Sequence, residues 1–202
     1  MQDTCPCPRI DFAAGPIGHR LRSGEGRGGA LARAAGIKPA RLPTIIDATA
    51  GLGRDAFLLA SLGCSVTLIE RSAPVHAALS TALDRARAAI APADVAAAAA
   101  RMTLLGGDAK TLLPILTADV ILVDPMHPDR GNTALVKQPM RQLRALVGDD
   151  ADVAALMLVA LRTATRRVVL KWPRHAPPIA GLRACSHSIE GRTTRYDVFM
   201  LG

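Results

Sequence analysis

Aromatic side chains are scarce: three Phe, one Tyr and one Trp among 202 residues. A core for a chain of this length must then be built mainly from Ala, Leu, Val and Ile. Cysteine is sparse and poorly spaced. Cys5 and Cys7 are separated by a single residue, and Cys64 and Cys185 stand alone. That pattern argues against paired zinc knuckles or a disulfide framework, and for free thiols in a reducing compartment. The histidines are scattered, so no metal site is expected. No stretch reaches the roughly 18 uncharged apolar residues of a helical membrane span. The Ala-rich run at 86–100 is broken by Pro92 and Asp94. The opening, MQDTCPCPRIDF, lacks the basic start and apolar run of a signal peptide, which points to the cytoplasm. Acidic residues are outnumbered, 17 against 25 Lys and Arg, for a net charge of +8. Such an excess favours an anionic partner: nucleic acid or an acidic membrane surface.

What is present begins at residue 44, where a Gly-, Arg- and Pro-rich opening gives way to alternating patterns. The opening holds one helix-like piece, GGALARAAGIK, ending at Gly36. TIIDATA then reads as a short strand, GLG as a turn, and RDAFLLASLG as a helix with Ala56, Leu59 and Ala60 on one face and Gly63 as its stop. SVTLIE is a second strand. Ser72 and Pro74 open a helix expected to run to Ala91. RMTLLGGD and ADVILVDP are the third and fourth strands. A helix is expected through about Val159 to Thr163, then RRVVLKWP as a fifth strand and ACSHSIE with TRYDVFML as a closing hairpin pair. Strands alternating with helices imply a doubly wound α/β fold with a mostly parallel sheet, finished by an antiparallel pair. Continuous apolar strands fit burial on both faces.

Four successive strands end in an acidic residue: Asp47, Glu70, Asp108 and Asp124. Ligands of such sheets bind beyond the carboxyl ends of the strands, where these carboxylates would repel one another unless a ligand used them. The first turn, DATAGLGRD, resembles the glycine-rich loop of class I methyltransferases, which bind S-adenosylmethionine. Gly51 and Gly53 are free to take positive φ and let a ligand approach the backbone. Asp47 could orient the loop or meet the ligand's ammonium. Arg54 and Asp55 open the next helix, where N–H groups and an Arg could receive a carboxylate. Glu70 suits paired ribose hydroxyls. Asp108 and Ala109 would lie beside the adenine. A dinucleotide fold also places an acid after strand two, about 20 residues past its glycines, but this loop supplies no third glycine. Glu70, Asp108 and the segment after strand four together favour the methyl donor.

That segment, DPMHP at 124–128, resembles the Asp/Asn-Pro-Pro-aromatic motif of amino-group methyltransferases. An exocyclic base amine is a poor nucleophile because its lone pair is delocalised. The Asp124 carboxylate and the Pro125 carbonyl would hold and orient such an amine, and His127 occupies the position that stacks on an extruded base. VDPMHP, ALVKQPMRQLRALVGDDAD, RRVVLKWPRHAPP, IDFAAGPIGHR, GRGGALARAAGIK and DATAGLGRDAFLLASLG are together similar to the ribosomal small-subunit methyltransferase J family. The resemblance runs from about Ile10 to the C-terminus. It implies a Rossmann-like methyltransferase domain at 44–202 preceded by an arm at 1–43 that is short relative to longer members. It further implies methyl transfer from S-adenosylmethionine, leaving S-adenosylhomocysteine, to the N2 amine of a guanine in 16S ribosomal RNA. The partner is that RNA or the small subunit, with neither membrane nor metal. Carried over, the family's donor contacts fall on Arg54, Asp55, Glu70, Arg71, Asp108, Ala109 and Asp124. The family's aromatic after DPM is His127 here.

Lys137, Arg141 and Arg144 share one helical face by spacing. With Arg130, Lys171 and Arg174 they fall on segments expected near the catalytic edge and are the candidate contacts to RNA phosphates. A solvated basic face is the competing reading. Trp172 is expected in the core. Two other functions fit parts of the pattern: a methyltransferase of another substrate, and a noncatalytic RNA-binding module.

Overall fold

A computed structural model of the chain describes residues 10–13, 28–88, 90–125 and 152–202. Its seven-stranded sheet has the order β3-β2-β1-β4-β5-β7-β6. The strands are β1 (Ile45–Asp47), β2 (Val66–Glu70), β3 (Met102–Gly106), β4 (Ala118–Val123), β5 (Ala164–Pro173), β6 (His187–Glu190) and β7 (Thr194–Met200). β1 to β5 pair in parallel, and β7 inserts antiparallel between β5 and β6. The expected parallel sheet with an antiparallel finish is the fold observed. Successive side chains of the central strands bury on opposite faces, as the pleat requires. Ile45, Val120, Leu122 and Val169 belong to one core, and Ile46, Ile121, Val123, Val168 and Leu170 to the other.

The first core is covered by α1 (Ala30–Ala35), α2 (Arg54–Ser61), α3 (Ala73–Arg87) and α4 (Ala93–Ala99). The second is covered by α5 (Ala109–Leu112), a 3-10 turn at Leu113–Ile115, and α6 (Val153–Thr163). Gly36 at φ 72° ends α1 by taking the left-handed conformation that side-chain-bearing residues avoid. Described residues before β1 contribute to the first core. Phe12 stacks on Phe57 with ring centroids 4.5 Å apart, and Arg85 Nη2 donates to the Ile10 carbonyl at 3.1 Å. Trp172 is buried, its indole N–H donating to the Pro177 carbonyl at 2.9 Å. α3 is shorter than expected: it stops at Arg87, and Ala88 turns extended at ψ 149°. Alanine carries no stop signal, so helical periodicity alone extends the helix to Ala91. Pro92 disfavours helical geometry at residue 91 and instead caps a separate helix, α4. Arg87 closes the turn by donating to the carbonyls of Ala99 at 3.2 Å and Met102 at 2.5 Å.

Candidate active site

Strand order reverses between β1 and β4, so the loops leaving their carboxyl ends part and open a crevice there. An open cleft occupies this place. Its walls come from the loop after β1 (Ala48, Thr49, Gly51), the end of β2 (Ile69, Glu70, Arg71), the β3–α5 turn (Gly107 to Lys110), Asp124, and the start of α6 (Asp152, Leu156). Glu70, Arg71, Asp108, Ala109 and Asp124 are all expected from the sequence, and the fold brings them to one cavity.

Local bonding explains how each is held. Glu70 is only 4% exposed, and its two oxygens accept from the backbone N–H groups of Gly51 (2.9 Å) and Ser72 (2.7 Å). The carboxylate thus pins the glycine loop. Asp108 caps α5 by accepting from Lys110 N at 2.9 Å. Thr49 ties the two switch-point strands together. Its N–H donates to Asp47 Oδ1 at 3.1 Å, and its hydroxyl accepts from Asp124 N at 2.7 Å. Gly51 (φ 51°) and Gly53 (φ 68°) both have positive φ. They serve different ends. Gly51 lines the cleft, whereas a Cβ on Gly53 would meet Leu79 Cδ1 at 2.8 Å and the Phe12 ring at 3.3 Å. Gly53 is therefore required by core packing. Arg54 and Asp55 form the first turn of α2, just outside the lining.

A second constellation adjoins the cleft at Asp124. Lys171 Nζ donates to both Asp55 Oδ2 and Asp124 Oδ2, each at 2.7 Å. Burial works to lower the Lys171 pKa, but the two carboxylates more than offset it and hold the ammonium firmly charged. Asp47, 3% exposed, stands beside them. Burial pushes its carboxyl up to about 7, helped by the charges of Asp55 and Asp124 and opposed by the Thr49 N–H and Lys171. Of the basic residues expected to meet phosphates, Lys171 lies between two carboxylates, and Arg174 pairs with Glu190 at 2.6 Å on an exposed edge. His127, Arg130, Lys137, Arg141 and Arg144 lie outside the described residues. Three lining residues with polar side chains have no counterpart among the sequence candidates: Thr49, Lys110 and Asp152. Asp152 bonds Lys110 and lies 3.6 Å from Arg71. The Lys110 hydrogen bond draws the Asp152 carboxyl below its usual range. A contact between residues 42 positions apart has no periodic signature; only the DDAD run before α6 hints at it.

Comparison with known proteins supplies the context for this geometry. The model of the SAM-dependent methyltransferase family matches residues 5–201. A protein of Brucella anthropi named ribosomal RNA small subunit methyltransferase J is 61% identical over 191 residues, covering 95% of this chain and 92% of its own. A protein of the same name from Agrobacterium fabrum is 60% identical, covering 95% and 91%. Among solved structures, a SAM-dependent methyltransferase of Neisseria gonorrhoeae superposes with a TM-score of 0.74 at 35% identity. That match covers 96% of this chain and 74% of the other.

Proposed function

This chain belongs to the ribosomal RNA small subunit methyltransferase J family of S-adenosylmethionine-dependent methyltransferases, and from that premise we propose that it methylates the N2 amine of a guanine in small-subunit ribosomal RNA. The cleft suits the donor. It pairs a near-buried carboxylate, Glu70, with a positive-φ glycine whose missing side chain leaves the backbone approachable. Glu70 would receive the ribose hydroxyls, Asp108 and Ala109 would flank the adenine, and the first turn of α2 at Arg54 and Asp55 would face the amino-acid end. Bound there, S-adenosylmethionine supplies an electrophilic methyl group on a sulfonium.

The observation that carries the reading is the position of Asp124. It leaves β4 at the switch point and lines the same cleft as Glu70 and Asp108. Its N–H is held by Thr49 and its carboxylate by Lys171. In our reading its carboxylate and the Pro125 carbonyl accept the two hydrogens of the amine. That turns the nitrogen lone pair out of conjugation and toward the methyl group. Alignment of the reacting atoms and fixed charge supply most of the acceleration in such a site. His127 would stack on the extruded guanine, and Arg130, Lys137, Arg141 and Arg144 would meet phosphates. The enzyme would then work in the cytoplasm, where ribosomal subunits mature.

The test is Asp124→Ala, assayed with radiolabelled donor on unmodified small subunits, alongside digestion of the wild-type product. Incorporation is expected to fall about 100-fold or more, and the wild-type product to contain N2-methylguanosine. Wild-type kinetics in the variant would refute the role of Asp124. Turnover independent of RNA would refute the substrate.

A further inference from the structure

Lys171 sits where the sheet edge makes it useful to the site and awkward for RNA. β5 continues past the end of β4: the last paired position joins Val123 to Leu170, so Lys171 stands beside Asp124. Leu170 and Trp172 both point into the second core. By strand alternation Lys171 points to the opposite face, the one covered by α2. There its ammonium meets Asp55 in the first turn of α2 and Asp124 beyond β4, while the side chain is 21% exposed. A phosphate would have to displace two carboxylates already within 2.7 Å.

We propose that Lys171 is a positioning residue: its paired contacts with Asp55 and Asp124 fix the Asp124 carboxylate in the orientation that receives the amine. This inference rests on the amine-holding role proposed for Asp124. The physical case is electrostatic. Asp55 from α2 and Asp124 from beyond β4 converge on one ammonium from β5. Without that cation, Asp55 and Asp124 repel across the space it leaves. Asp124, at 38% exposure against 14%, is the less enclosed of the two and the one whose orientation depends more on the cation. A swing of about 1 Å at a reacting group is enough to cost about 100-fold in rate.

A double-mutant cycle tests this, with total methyl incorporation into small-subunit RNA as the readout. Lys171→Met is expected to lower kcat about 100-fold while KM for RNA stays within about twofold, because binding contacts are untouched. Adding Lys171→Met to Asp124→Ala is expected to cost no more than about a further twofold, since the lysine acts through that carboxylate. Lys171→Arg, which keeps the charge and two donors, is expected to recover about tenfold of the loss. If Lys171→Met unfolds, Lys171→Gln takes its place in the same cycle. Losses that multiply in the double variant would overturn the proposal. So would a Lys171→Met variant with unchanged kcat and a shallower salt dependence of RNA binding, the signature of a phosphate contact. Incorporation counts methyl on any nucleotide. A wild-type product other than N2-methylguanosine would therefore refute the substrate reading, while the coupling between Lys171 and Asp124 would still be measured.

Discussion

Asp47 ends β1 with both neighbours in register and water almost excluded, and this sets a pH dependence that belongs to one residue. In the folded chain its carboxyl keeps its proton up to about pH 7, against 3.8 for the ordinary group. Between these values the native state binds more protons than the unfolded one. Stability from this group is therefore full below about pH 4 and is lost as the pH rises to about 7. Asp47→Asn removes the titration and keeps an acceptor for the Thr49 N–H. The variant's unfolding free energy in urea is expected to match wild type near pH 4. By pH 7 it should exceed wild type by up to about 4 kcal/mol. A difference that does not change with pH would show that Asp47 is ionised throughout. The acid itself was legible from its place at the end of a strand. Its burial was not, because burial depends on β2 and β4 closing on either side.

At the scale of elements, the end of β5 is held by one arginine of β7. Arg195 Nη1 donates to the carbonyls of Pro173, Arg174 and Ala176 at 3.1, 2.9 and 2.8 Å, and its Nε pairs with Asp197 at 3.0 Å. Asp197 also accepts from Ser188 of β6 at 2.5 Å. One side chain thus joins the turn after β5 to the closing hairpin. Arg195→Met strands the carboxylate of Asp197, which is 6% exposed. A loss of about 3 kcal/mol is expected in urea unfolding, with faster amide exchange at 174–177. Unchanged stability would mean that the hairpin holds the turn without this arginine. The hairpin was readable as two short β-like runs, ACSHSIE and TRYDVFML, with no helix between them. Its insertion order, β7 beside β5 and β6 outermost, was not. β6 offers one apolar residue, Ile189, while β7 buries Tyr196, Val198 and Phe199, yet pairing β7 with β5 requires the chain to reach the outer position first and then turn back. The separate helix α4 is hidden for a related reason: alanine supports either continuation or a turn, and the turn is set by Pro92 and held by Arg87, which donates to Ala99 of α4 and Met102 of β3.

For the whole molecule, the excess of eight positive charges sets the response to salt. If Lys137, Arg141 and Arg144 each meet a phosphate, their simultaneous replacement by alanine lowers the slope of log affinity against log salt. A fall of about 2 is expected for single-stranded RNA, measured by titrating RNA binding across salt concentrations. An unchanged slope would return these residues to a solvated surface. Sequence alone determined the alternation of strands and helices, the acids at the strand ends, the glycine loop and the DPMHP segment. Each of these is written in local period or in contiguous residue types, which the chain carries whatever its environment. Tertiary structure decided what those residues do for one another. It made Glu70 the anchor of the Gly51 loop, gave Gly53 to the core, and moved Lys171 from the basic surface to a seat between Asp55 and Asp124. The physical reason is distance: Lys171 is 47 residues from Asp124 and 116 from Asp55, and only a parallel sheet that reverses its order between β1 and β4 sets them within 2.7 Å.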